Sequence, residues 1–133
     1  EGEILGGCID SMYEMFSGWR HADMPDVCKT YRLFPDLDDW RGRILLLESS
    51  EEQMPPETYK KALETLKEQG VLVGKPMDEV YAAEYKKLLA GVIANKELPI
   101  VCNLNIGHAL PRCILPFGVP AHVDADAQVI RFG

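Results

Sequence analysis

The run Ile44-Leu45-Leu46-Leu47, led in by Arg43 and closed by Glu48, limits the fold of this chain more than any other stretch. Four continuous aliphatics without alternation predict a strand buried on both faces, which needs cover on both sides of a sheet. The sequence downstream supplies that cover. Ser49 to Met54 reads as a polar loop, and Pro55-Pro56 opens a helix, because proline is tolerated in a first turn. Tyr59, Ala62, Leu63 and Leu66 form its apolar stripe, and Gly70 is suited to end it. Val71-Leu72-Val73 reads as a short strand. Asp78 caps a helix from Glu79 to Asn95, with Tyr81, Tyr85, Leu88, Leu89 and Val92 on one face. Ile100 to Leu104 returns as a buried strand. The expected class is α/β, a βαβαβ unit.

Upstream, Glu3-Ile4-Leu5-Gly6-Gly7 is a short apolar entry. Ile9, Met12, Tyr13 and Phe16 recur at helical spacing, and Gly18 ends that helix. His21 to Asp39 reads mostly as loop, with Thr30 to Phe34 extended. At the other end, His122 and Ile130 lie in two alternating strands, Ala121–Val123 and Gln128–Phe132. Asp124 to Ala127 forms the hairpin turn between them, so a β tail closes the chain.

Composition removes several function classes. A net charge of -7 with scattered Lys and Arg disfavours a nucleic-acid partner. No apolar run reaches the roughly 18 residues that a membrane span needs. Glu1-Gly2-Glu3 is not a signal peptide, and the four cysteines, Cys8, Cys28, Cys102 and Cys113, form no C-x-x-C pair. A cytoplasmic protein with reduced thiols, no metal and no cofactor is expected. With no initiator Met, a fragment or a processed piece is expected.

Two residues carry the chemistry. Glu48 ends the aliphatic strand, and His108 follows Gly107 where the strand Ile100–Leu104 should run into a loop. Parallel strands of one sheet end on one side, so the two groups can meet. A carboxylate that fixes the tautomer of a histidine is two thirds of a nucleophilic triad. A hydrogen bond of about 3 Å between Glu48 and His108 is the expected sign of it. The nucleophile is missing. Ser11, Ser17, Ser49 and Ser50 lie in no G-x-S-x-G elbow. Cys8 and Cys113 are the alternatives, although buried cysteines are usually inert. His21 and His122 carry no such context.

Three blocks resemble the C-terminal domain of the LD-carboxypeptidase family of serine peptidases, which includes the microcin C self-immunity peptidase. They are Gly2-Glu3-Ile4-Leu5-Gly6-Gly7, then Arg43 to Glu48, then Leu98-Pro99-Ile100-Val101 through Gly107-His108 to Leu115-Pro116-Phe117-Gly118. The last of these resembles a further strand of the family. The resemblance implies a swivelling-type three-layer β/β/α domain spanning residues 1–133, with Glu48 and His108 as catalytic residues. It implies as partner an N-terminal domain of the same protein that brings the serine and the oxyanion hole, so that the chain alone is inactive. The implied substrate is a muropeptide whose terminal LD-peptide bond is cut in murein recycling, or a peptidyl or aminoacyl nucleotide in the microcin branch. Dimerisation is a further family expectation. A non-catalytic binding module on the same fold is the rival reading. Cys8 stands where the family usually has Asn, and the link near Gly70 is shorter than in relatives.

Overall fold

The computed structural model describes residues 1–68, 80–94, 100–102, 104–108, 110, 112–124 and 126–133. Among them, four strands form one sheet: β1 (Gly2–Cys8), β2 (Ile44–Glu48), β3 (Pro120–Asp124) and β4 (Val129–Phe132). Four helices surround it: α1 (Ile9–Ser17), α2 (Met24–Tyr31), α3 (Pro56–Glu68) and α4 (Ala82–Ile93). The mixed α/β class is as expected, but the sheet is centred elsewhere.

Its order is β2-β1-β3-β4. The glycine-rich entry is the inner strand β1, parallel to β2 in a register that runs from Ile4↔Ile44 to Cys8↔Glu48. Parallel neighbours need a crossover of a dozen residues or more, and α1 and α2 supply it. Gly6, at φ +142, is needed here, because a Cβ on it would collide with the Leu46 carbonyl oxygen. β3 pairs antiparallel with β1 and β4 with β3, which gives the expected hairpin tail. The Ala127 N–H donates to the Asp124 carboxylate at 2.9 Å and fixes its turn.

Several expectations need correction. β2 lies at the end of the described sheet, and of its aliphatics only Leu47 is fully buried. Ile100 to Cys102 and Leu104 are not in a strand, and Asn103 lies outside the described residues. Ile100 is exposed, Val101 and Leu104 are half-buried, and Cys102 packs against the core. Hydrophobicity favours burial and does not specify a ladder. Cys113 to Val119 carries no strand either, and strand pairing resumes at Pro120. Polar His21–Asp39 holds α2 and a 3-10 turn at Leu37–Trp40, and Thr30 and Tyr31 are helical rather than extended. Asp36 and Asp39 cap that turn reciprocally. Tyr81 is the exposed N-cap of α4 instead of part of its stripe. The expected strand Val71–Val73, the Gly70 helix end and the Asp78 cap lie outside the described residues.

The core sits between the sheet and α1, α3 and α4. Ile9 and Met12 of α1 meet Leu47, and Tyr59, Ala62, Leu63 and Leu66 of α3 are all buried against Tyr85, Leu89 and Ile93 of α4. Tyr59 and Tyr85 stack at 3.8 Å, nearly parallel. The Tyr85 hydroxyl donates to the Met54 carbonyl oxygen, so the loop after β2 is anchored to α4. This anchoring places the segment that carries the charged groups described next.

Candidate active site

The site forms where β1 and β2 end together. Cys8 and Glu48 are register partners at that edge, and α1 begins one residue after Cys8. Asp10, in the first turn of α1, is buried. Its Oδ2 accepts the Ser50 N–H at 3.0 Å and the Cys8 thiol at 3.4 Å. A buried carboxylate thus ties the start of the helix to the loop after β2.

Glu48 and His108 meet across 60 residues of sequence. Glu48 Oε2 lies 2.7 Å from Nδ1 of His108 and also accepts the His108 backbone N–H at 3.2 Å. The ring and the backbone of one residue are gripped by one oxygen. The geometry assigns the proton of the neutral ring to Nδ1, which donates to the carboxylate, and leaves the lone pair on Nε2. The Glu48 side chain is 12% exposed and the His108 side chain 40%, so the carboxylate is sheltered while the ring faces outward. Gly107 makes the approach feasible. It has φ +66, and a Cβ there would overlap the Glu48 carboxylate.

The hydrogen bond that the ring donates to Glu48 is the main cause that holds the His108 pKa above its ordinary value. Glu51 adds to this effect, with Oε2 3.5 Å from Nε2, while the charge of Arg112 opposes it. Asp10 and Glu51 are members of this neighbourhood that sequence reasoning missed. Asp10 follows the end of a strand at a helix start, and Glu51 follows Glu48 by three residues. Neither spacing has a signal of its own.

The other candidates stand apart. His21 Nδ1 lies 3.3 Å from Glu14 and His122 Nδ1 lies 3.1 Å from Glu1. All four cysteines are free thiols. Burial pushes the Cys8 thiol up, and its proton faces Asp10, which is the reverse of an activated nucleophile. Cys113 is exposed. Ser50 Oγ accepts the Glu52 N–H at 3.3 Å, and Ser49 is buried. Among the described residues, no group of three His, Cys, Asp or Glu side chains is placed to hold a metal ion. No helix among them is long and apolar enough to cross a membrane.

Known proteins place this geometry in context. The chain is similar to an MccF-like protein from Streptococcus pneumoniae, solved in complex with AMP, at 55% identity and a TM-score of 0.92. That likeness covers 99% of this chain and 40% of the other, so the chain spans well under half of its neighbour's length. No curated protein matches it. The family model of the LD-carboxypeptidase C-terminal domain matches residues 1–123, and the chain, with the Glu48–His108 pair inside the matched stretch, belongs to that family.

Proposed function

We propose that this chain is the Glu–His half of a serine-type hydrolase that cuts an amide bond. The observation that carries this reading is the 2.7 Å contact between Glu48 Oε2 and His108 Nδ1, on a ring that is 40% exposed. Membership of the family supports it. The serine comes from a part of the protein outside these residues, in an N-terminal domain. Its hydroxyl gives a proton to Nε2 of His108 as its oxygen attacks the carbonyl carbon. His108 then passes that proton to the departing nitrogen, and the C–N bond breaks. A water molecule releases the acyl group by the same proton path in reverse. Glu48 orients the ring and stabilises the imidazolium formed in each step.

Two substrate classes fit, an LD-peptide bond of a muropeptide or the amide of a peptidyl or aminoacyl nucleotide. The neighbour solved with AMP favours the nucleotide class. The test is to incubate the complete protein with a muramoyl tetrapeptide and, separately, with an aminoacyl nucleotide amide, and to identify products by mass spectrometry. Cleavage of either one that is abolished in His108→Ala is the expected result. Cleavage of the nucleotide amide but not the muropeptide selects the second class. Loss of neither activity in His108→Ala overturns His108 as the base, and no reaction of the complete protein with a serine-directed probe overturns the reading in favour of a binding module.

A further inference from the structure

The outer nitrogen of His108 is not empty-handed. Glu51 Oε2 lies 3.5 Å from Nε2, so the ring is bracketed by two carboxylates, one on each nitrogen. The two differ in character. Glu48 is sheltered at the strand end, whereas the Glu51 side chain is 65% exposed. The backbone that carries Glu51 is nevertheless pinned on both sides. The Ser50 N–H is held by buried Asp10, and Glu52 pairs with Arg20 at 3.6 Å. Arg20 is in turn held by buried Glu14. A fixed root with a free carboxylate tip suits a group that makes and releases one contact. We infer that Glu51 is a positioning residue for the proposed hydrolysis, a second carboxylate that holds the Nε2 side of His108 and gives way when the hydroxyl arrives.

This inference rests on the proposed role of His108 as base. While Glu51 holds Nε2, that nitrogen carries a proton as the imidazolium. The proton must pass to solvent before Nε2 can accept one from a hydroxyl. The charged groups that face the ring are Glu48 at the end of β2, Glu51 in the following loop and Arg112 beyond the turn. Of the two carboxylates, only Glu51 reaches the catalytic nitrogen.

The experiment compares the complete protein with its Glu51→Gln and Glu57→Gln variants. It reads two quantities: the titration of the His108 ring by NMR, and the acid limb of kcat/KM against pH. In Glu51→Gln both move to lower pH. At a pH on the wild-type limb, activity relative to the plateau rises about two- to five-fold, the range for an exposed ion pair. Glu57→Gln, an exposed carboxylate in the first turn of α3, leaves both where they are. A His108 titration in Glu51→Gln that overlays the wild type overturns this inference alone, and the hydrolase reading stands. A shifted titration with an unmoved limb shows that His108 is not the base, and overturns both.

Discussion

Among the described residues, two glutamate–histidine pairs are built on the same plan. In each, one carboxylate takes both the ring and the backbone N–H of a histidine: Glu48 with His108, and Glu14 with His21. Their surroundings differ. Glu14 and His21 are seven residues apart, and the pair closes the turn after α1. Arg20 shares the carboxylate through its backbone N–H and its guanidinium. Burial alone would raise the Glu14 pKa, but the Arg20 and His21 N–H groups and the Arg20 charge hold it below the ordinary value. Among the described residues Glu48 has no such Lys or Arg within ion-pair distance, and its partner comes from 60 residues away. The charge that Glu14 gives to a local turn is, at Glu48, spent on the ring of His108. A pairing motif therefore does not make a site. What separates the two is that Arg20 competes for Glu14, whereas among the described residues no Lys or Arg competes with His108 for Glu48 within ion-pair distance.

That difference can be broken by experiment. The largest effect is expected from His108→Ala in the complete protein, which lowers kcat by about a thousandfold or more. His21→Ala keeps kcat within about twofold, as for a surface change. Equal losses in the two would erase the distinction. Next comes Gly107→Ala. The added methyl overlaps the Glu48 carboxylate and strains a positive φ, so the pair opens and kcat falls about ten- to a hundredfold. Its cost is read as kcat against unfolding midpoint, and a stability loss with full turnover would contradict it.

Glu14→Gln acts on stability instead. Urea unfolding near neutral pH should show a loss of about 1–3 kcal/mol, since the Arg20 and His21 N–H groups and the Arg20 guanidinium lose a charged acceptor. The pH dependence has a definite direction. Because the Glu14 carboxyl is held low, its contribution is complete above the ordinary carboxylate range and disappears as pH falls through the lowered value. His108 behaves in the opposite sense. Its raised pKa makes its contribution complete below the ordinary imidazole value, and this is lost as pH rises through the raised one. The neutral base needed for catalysis exists only above that point, so stability and activity oppose each other at this residue. The smallest effect is Cys113→Ser, expected to change kcat by less than about twofold. A large loss would revive a cysteine nucleophile.

Much of the fold was legible because apolar spacing records burial. The stripe Tyr59, Ala62, Leu63 and Leu66 is buried as its period predicts, and Gly18 ends α1 in the left-handed conformation. The α2 helix was missed although Met24, Val27, Cys28 and Tyr31 have helical spacing, because charged neighbours diluted the pattern. Pro25 in its first turn was the available signal. Ile100 to Leu104 failed in the other direction. An apolar run favours burial of its side chains, and gives no account of which backbone, if any, pairs with it.

The sequence by itself determined that Glu48 ends a strand, that His108 follows a glycine, and that no serine elbow accompanies them. Those properties depend on a residue and its neighbours in the chain. Only the tertiary structure decided that the glycine-rich entry is the inner strand of the sheet, and that Glu48 grips His108. It also decided that buried Asp10 and Arg20 pin the loop that presents Glu51. Hydrogen bonds and ion pairs between residues 40 or 60 positions apart leave no period in a sequence, because their geometry exists only once the strands are in register.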